Sequence, residues 1–157
     1  MESQSYMDLD KQLCFALYAC SKEITKMYRP LLAPLGLTYT QYITLLAIWK
    51  EGRMKVKDLG EVLYLDSGTL TPLLKKLEAS GFVKRTRDAQ DERNVWIEVT
   101  EEGRKLREQA AHIPQTAFCR SGMTPEEAIS LHRQLKELLA RLDGFVPFQL
   151  PHTELET

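Results

Sequence analysis

The 157-residue chain has no apolar run approaching the roughly 18 residues needed to cross a bilayer, so no spanning helix is expected. Its start, MESQSYMDLDKQL, lacks the basic and then apolar blocks of a secretory leader, and a cytoplasmic location is the expectation. Cysteine is scarce: three residues, at 14, 20 and 119, with no CxxC, which excludes a disulfide scaffold and offers no zinc cage. His112 and Cys119 could lie two turns apart if a helix continued through Pro114, but His132 and His152 do not extend that spacing, so neither metal nor cofactor is expected. Net charge is scarce too. Twenty-one Lys and Arg against 22 Asp and Glu leave −1, without the overall basicity by which nucleic-acid binders usually announce themselves. What remains, 43% hydrophobic and 27% charged residues, is the composition of one globular domain with a core to bury.

The charge is unevenly placed. Residues 94–157 carry ten acidic side chains against seven basic ones, whereas between 67 and 87 Lys75, Lys76, Lys84, Arg85 and Arg87 face only Glu78. Apolar positions at helical spacing predict a helix over Asp8–Arg29, ended by Pro30 and Pro34. A second helix is expected over Tyr39–Trp49, capped by Thr38 or Thr40 and closed near Gly52. A short helix over Val56–Leu63 and a turn at Tyr64-Leu65 precede a helix over Ser67–Ser80, capped by Asp66 and stopped by Gly81. The stripe Leu70, Leu73, Leu74 and Leu77 leaves Ser67, Thr69, Thr71, Lys75 and Lys76 on the other side. Residues 82–87 and 94–100 read as two strands joined by the polar link Asp88–Arg93. Thr100-Glu101-Glu102-Gly103 opens another helix, with acid in its first turn, that runs toward Pro114 or somewhat beyond. The last starts at Thr124-Pro125 and runs to Leu142, with a seam of Ala128, Leu131, Leu135, Leu138 and Leu142.

Short helix, turn, helix with a polar face, then a hairpin with a basic tip is the element order of a winged helix-turn-helix. The chemistry suits double-stranded DNA. Ser67, Thr69 and Thr71 offer short polar groups to base edges, Lys75 and Lys76 reach phosphates, and Arg87 and Arg93 on the hairpin fit a narrow minor groove. Asp91 stands two residues before Arg93 and can orient it, while Arg85 adds a cation further back. The helices at about 8–29 and 101–142 then serve to dimerise, setting two recognition helices about 34 Å apart on a pseudo-palindrome. The expected fold is mainly α with a small β-hairpin wing, one domain over 1–157, with the winged helix-turn-helix at about 38–100 and a tail at 145–157.

Cys14 lies near the start of the first helix, where backbone amide dipoles favour a thiolate, with Tyr18 one turn on. Cys20 is about 240° further round that helix and points elsewhere. Spacing alone leaves both a reactive and an inert thiol open.

The run Leu13-Cys14-Phe15-Ala16-Leu17-Tyr18, the entry Leu37-Thr38-Tyr39-Thr40-Gln41-Tyr42, the segment LYLDSGTLTPLLKKLE at 63–78 and the wing triplet Asp91-Glu92-Arg93 resemble the MarR family of winged-helix repressors. More narrowly, they resemble its organic hydroperoxide resistance regulators over residues 6–142. That resemblance implies a homodimeric repressor, not an enzyme, whose reactive cysteine is Cys14, held as thiolate by Tyr28 and Tyr39, with Tyr18 a further candidate. It also implies that an organic hydroperoxide oxidises Cys14 to a sulfenic acid, that Cys119 of the other subunit closes a disulfide with it, and that operator DNA is released. Cys20 is then a bystander, and Cys119 is expected on mobile chain after Pro114. The alternatives are a repressor of this type sensing a small ligand or another oxidant, and a thiol peroxidase, for which no base or arginine is evident beside Cys14.

Overall fold

The first long helix, α1 (Leu13–Leu32), starts later and ends later than the apolar spacing predicts. Leu9–Lys11 form a 3-10 turn, and Gln12, with extended backbone (φ −83°, ψ 116°), separates it from the α-helix. Apolar periodicity does not distinguish these two windings. At the other end Pro30 removes only one amide donor while its fixed φ suits a helix, so the last turn continues to Leu32. The computed structural model describes residues 7–143, in two compact units that divide between Arg120 and Ser121. The expected tail at 145–157 lies outside the described residues.

In the first unit, α2 (Tyr39–Glu51) opens on a capping box: the Gln41 amide donates to Thr38 Oγ1 at 3.3 Å, and the Thr38 amide to Gln41 Oε1 at 2.9 Å. Gly52, at φ 72°, closes it. The next three residues form a strand that the sequence reading missed, β1 (Arg53–Lys55). So short a segment has no periodicity of its own; pairing makes it a strand. After it come α3 (Val56–Leu63) and α4 (Ser67–Ala79), then β2 (Val83–Arg87) and β3 (Val95–Val99). The sheet is antiparallel in the order β1-β3-β2, with Met54 opposite Ile97 and Arg85 opposite Ile97 from the other side. The wing is therefore a three-stranded sheet rather than a lone hairpin.

A final pair of helices completes this unit. α5 (Glu101–Ala110) is capped by Thr100, whose Oγ1 accepts from the Gly103 amide at 3.1 Å. The chain breaks at Ala111-His112, and Pro114 sits in the first turn of α6 (Ile113–Ser121). A proline is tolerated there because first-turn amides have no helical acceptor. Leu45 and Ile48 of α2, Leu59 of α3, Leu70, Leu74 and Leu77 of α4 and Ile97 of β3 form the centre of the core. The Trp49 indole N–H donates to the Gly103 carbonyl at 2.8 Å and ties α2 to α5. A side chain at Gly103 would overlap the Phe82 carbonyl and a Val99 methyl, so only glycine permits this approach.

The long helices near the ends of the described chain bury little. Of the twenty residues of α1 only Leu32 is buried, and Leu13, Tyr18 and Ile24 are exposed. In the second unit α7 (Pro125–Asp143) opens on another capping box, Thr124 with Glu127, and none of its residues is buried. Ile129, Leu131, Leu135 and Leu142 are all exposed. No single helix among the described residues is long and apolar enough to cross a membrane.

Candidate nucleic-acid interface and cysteine site

α4 is amphipathic as the leucine stripe requires. Leu70, Leu73, Leu74 and Leu77 are buried, while Ser67, Thr69, Thr71, Lys75 and Lys76 are exposed. Asp66 fixes its start: Oδ1 accepts from the Thr69 amide at 2.9 Å and Oδ2 from the Thr69 hydroxyl at 3.1 Å. The Thr69 amide hydrogen bond, more than any other contact, holds the Asp66 carboxyl below its ordinary range. Thr69 thus arrives with its hydroxyl proton engaged and its oxygen open as an acceptor. Lys75 and Lys76 make no ion pair among the described residues. The turn into α4 places Tyr64 at φ 55°, the left-handed region that disfavours a side chain, and leaves that side chain exposed. Between this turn and the wing lies a groove of about 540 Å³ whose lining includes Lys55, Lys57, Tyr64, Ser67 and Arg93.

The cations of the wing separate by the pleat of the sheet. Arg87 and Arg93 are exposed, Arg93 with 94% of its side chain accessible. Asp91 Oδ1 accepts from the Arg93 amide at 3.1 Å and from its Nε at 3.4 Å. Arg85 departs from the expectation of a free cation. It pairs in register with Ile97 on the core side of β2, so its guanidinium meets α4. There Nε donates to Glu78 Oε2 at 2.8 Å and Nη2 lies 2.6 Å from the same oxygen, while the Arg85 amide donates to Oε1 at 2.9 Å. Those bonds, the backbone one foremost, hold the Glu78 carboxyl below the ordinary glutamate range. Arg85 fastens β2 to α4. Counting charge along the sequence could not show this, although strand alternation puts Val83 and Arg85 on one side.

Cys14 is the second residue of α1 and is exposed, as are Cys20 and Cys119. Tyr18, a turn further on, is exposed, and its hydroxyl accepts from Lys22 Nζ at 3.2 Å. Tyr28 and Tyr39 meet edge to face with centroids 5.1 Å apart, and Tyr42, which the sequence reading missed, lies 5.8 Å from Tyr28. Its spacing of three from Tyr39 along α2 was the available signal. Burial first, and then the neighbouring Tyr39, raises the Tyr28 hydroxyl above its usual value. Burial does the same to Tyr42, pushed up to about 12. Both phenols therefore stay protonated donors at neutral pH. Fourteen residues of helix, about 21 Å of rise, separate Cys14 from Tyr28 of the same chain. Cys119 is not on a loop, as expected, but in α6, because the helix restarts at Ile113. No cluster of metal-ligating side chains occurs among the described residues.

Two helices joined by a tight turn, the second with a polar outer face, and a wing pinned to that helix define the winged helix-turn-helix of a transcriptional regulator. The comparisons carry this further. The SarA/Rot family of transcriptional regulators matches residues 26–110. The organic hydroperoxide resistance transcriptional regulator of Bacillus subtilis (strain 168) is 48% identical over 137 residues, 87% of this chain and 93% of that protein. The chain belongs to that family, the organic hydroperoxide resistance type of MarR regulator. Among solved structures it is similar to AbfR of Staphylococcus epidermidis, with a TM-score of 0.75 and 33% identity over 92% of this chain and 100% of that one. AbfR has been crystallised on DNA in both its reduced and its overoxidised form, each at a TM-score of 0.73 to this chain and 35% identity. The reduced form of MarR from E. coli follows at 26% identity and a TM-score of 0.69, covering 82% of this chain and 96% of that one.

Proposed function

We propose that this regulator is a homodimeric repressor that holds pseudo-palindromic DNA when reduced and lets it go when an organic hydroperoxide oxidises Cys14. Recognition rests on Ser67, Thr69, Thr71, Lys75 and Lys76 in the major groove, with Arg87, Arg93 and its orienting partner Asp91 at the wing. Arg85 supports that surface from behind through Glu78. The observation that carries the sensing half is the coincidence, on α1, of an exposed cysteine in the first turn and of apolar side chains, Leu13, Phe15, Tyr18 and Ile24, left exposed among the described residues. A second copy covering those side chains would shelter Cys14 and supply what its own chain lacks. Tyr28 and Tyr39 lie too far along the molecule to serve Cys14 in cis, so they act on the partner's thiol, whereas Tyr18 acts within the chain.

The chemistry proceeds in two balanced steps. The Cys14 thiolate attacks the distal oxygen of the hydroperoxide, the O–O bond breaks, the alkoxide takes a proton, and Cys14 becomes a sulfenic acid. The Cys119 thiol of the other subunit then attacks that sulfur, an S–S bond forms and water leaves. Because Cys119 is helical, closing the bond requires the end of α6 to move, Cα atoms having to come within about 7 Å. That movement is what unseats the recognition helices. AbfR bound to DNA while overoxidised supports the emphasis on the cross-link over the oxidation itself.

Cys14→Ser and Cys119→Ser are the test, by operator binding and non-reducing electrophoresis after cumene hydroperoxide. Wild type should leave the DNA and run as a disulfide dimer; Cys14→Ser should stay bound, and Cys119→Ser should give no dimer band. Release of Cys14→Ser by the peroxide would overturn the sensor assignment, and a dimer band from Cys119→Ser would place the disulfide elsewhere.

A further inference from the structure

We infer that Trp96 is a positioning residue for the wing, a strut that joins the edge strand β1 to the turn carrying Arg93. The inference rests on the DNA-binding reading above and goes beyond it. Strand alternation puts Arg53, Lys55, Thr86 and Trp96 on the outer face of the sheet, opposite the core-facing Met54 and Ile97, with Lys55 and Thr86 directly across from Trp96. An indole on an outer face would ordinarily be wet. Here the Arg53 guanidinium lies 4.5 Å from the ring centroid and Lys55 Nζ 5.6 Å, a pair of cation–π contacts that hold the ring from the β1 side.

The edge of the same ring reaches the turn. Its N–H donates to Asp88 Oδ2 at 3.0 Å, and this bond is the largest cause of the lowered Asp88 carboxyl. From Asp88 a line of hydrogen bonds runs to the tip. The Asp88 amide donates to the Asn94 carbonyl at 2.8 Å, the Asn94 amide to the Asp91 carbonyl at 2.9 Å, and Asp91 Oδ1 accepts from the Arg93 amide. Residues 88–93 bury no side chain, so packing does not set the shape of this turn. Trp96 anchors one end of the line to the body of the protein, and Arg93 is the other end. An unanchored turn would still carry Arg93, but over a wider range of directions, and the entropy of fixing it would be lost from the binding free energy.

Trp96→Phe keeps an aromatic face for Arg53 and Lys55 but has no N–H for Asp88, and Asp88→Ala cuts the same bond from the other side. Both are measured beside Arg93→Ala in the full-length reduced protein, on a duplex selected by wild type from a random pool, across a salt series. Each of the two should weaken binding roughly tenfold, the scale of a lost hydrogen bond to a charged group, and lower the slope of log affinity against log salt. Their combination should be no weaker than either alone, and Arg93→Ala should cost less in the Trp96→Phe background than in wild type. Wild-type affinity for Trp96→Phe, additive losses with Arg93→Ala, or a loss without change of salt slope would overturn the inference. If Trp96→Phe does not fold, Asp88→Ala with Arg93→Ala gives the same cycle. A wild-type protein that selects no duplex would bring down the DNA-binding reading itself.

Discussion

At the scale of single residues, the proposed sensor depends on groups that one chain cannot bring together. Tyr28 is half-buried against Tyr39 and Tyr42 and keeps its proton well above neutral pH, so it can donate to a thiolate at any physiological pH. Tyr28→Phe should slow Cys14 oxidation at neutral pH roughly tenfold, the effect of one charge-assisted hydrogen bond, and the rate should recover as pH rises. Mixed dimers separate cis from trans. With Cys14→Ser and Tyr28→Phe on one chain and a wild-type partner, the single remaining Cys14 should react slowly; with the two substitutions on different chains it should react at the wild-type rate. Equal rates in the two arrangements would refute action across the dimer. Cys14 as candidate was legible from its place at a helix start, and the left-handed backbone of Tyr64 was not, since nothing in its side chain calls for it. Arg85 shows the opposite hazard: its charge was visible, and its occupation by Glu78 depends on a pleat and a neighbouring helix.

At the scale of elements, caps and stripes were the readable features because they are local. Thr38, Asp66, Thr100 and Thr124 each start the helix they are expected to start, Asp66 and Thr100 by accepting an amide of their own first turn and Thr38 and Thr124 through full capping boxes. The leucine stripe of α4 sorted its buried from its exposed positions correctly. β1 was missed because three residues acquire a strand conformation only by pairing with β3. The boundary between α5 and α6 was blurred because a proline within a helical pattern ends, kinks or begins a helix according to its neighbours. Where α5 meets the sheet, Gly103 is decisive. Gly103→Ala would drive a methyl into the Phe82 carbonyl and disturb the Trp49 bond, and should cost about 1–3 kcal/mol, the usual range for overpacking. Thermal unfolding followed by tryptophan fluorescence measures this; an unchanged midpoint would mean that the two backbones part easily.

At the scale of the whole molecule, the proposal turns on what covers α1 and α7. α1 exposes Leu13, Phe15 and Ile24, and α7 exposes Leu131, Leu135 and Leu142 at the spacing of a helical seam. A near-neutral chain with a modest basic patch binds DNA weakly through one head, so useful affinity depends on two heads held at a fixed separation. Leu135→Glu, a charge in the middle of the α7 seam, should shift the protein toward monomer in analytical ultracentrifugation and reduce operator affinity at least a hundredfold, the usual scale of lost avidity. A dimer that persists with full affinity would show that α7 is not part of the interface.

The sequence by itself determined the helix starts, the buried and exposed sides of α4, and the order of elements that makes a winged helix-turn-helix, because each follows from interactions within a turn or two of chain. Its overall charge of −1 argues against DNA, and the placement of cations along the sequence of α4 and the wing reverses that. Only the tertiary structure decided which cations are available, that Arg85 is tied to Glu78, that Trp96 links β1 to the wing turn, and that Cys119 is helical. Each of these depends on which residues from distant parts of the chain come to face one another, and pairing and packing set that, not spacing.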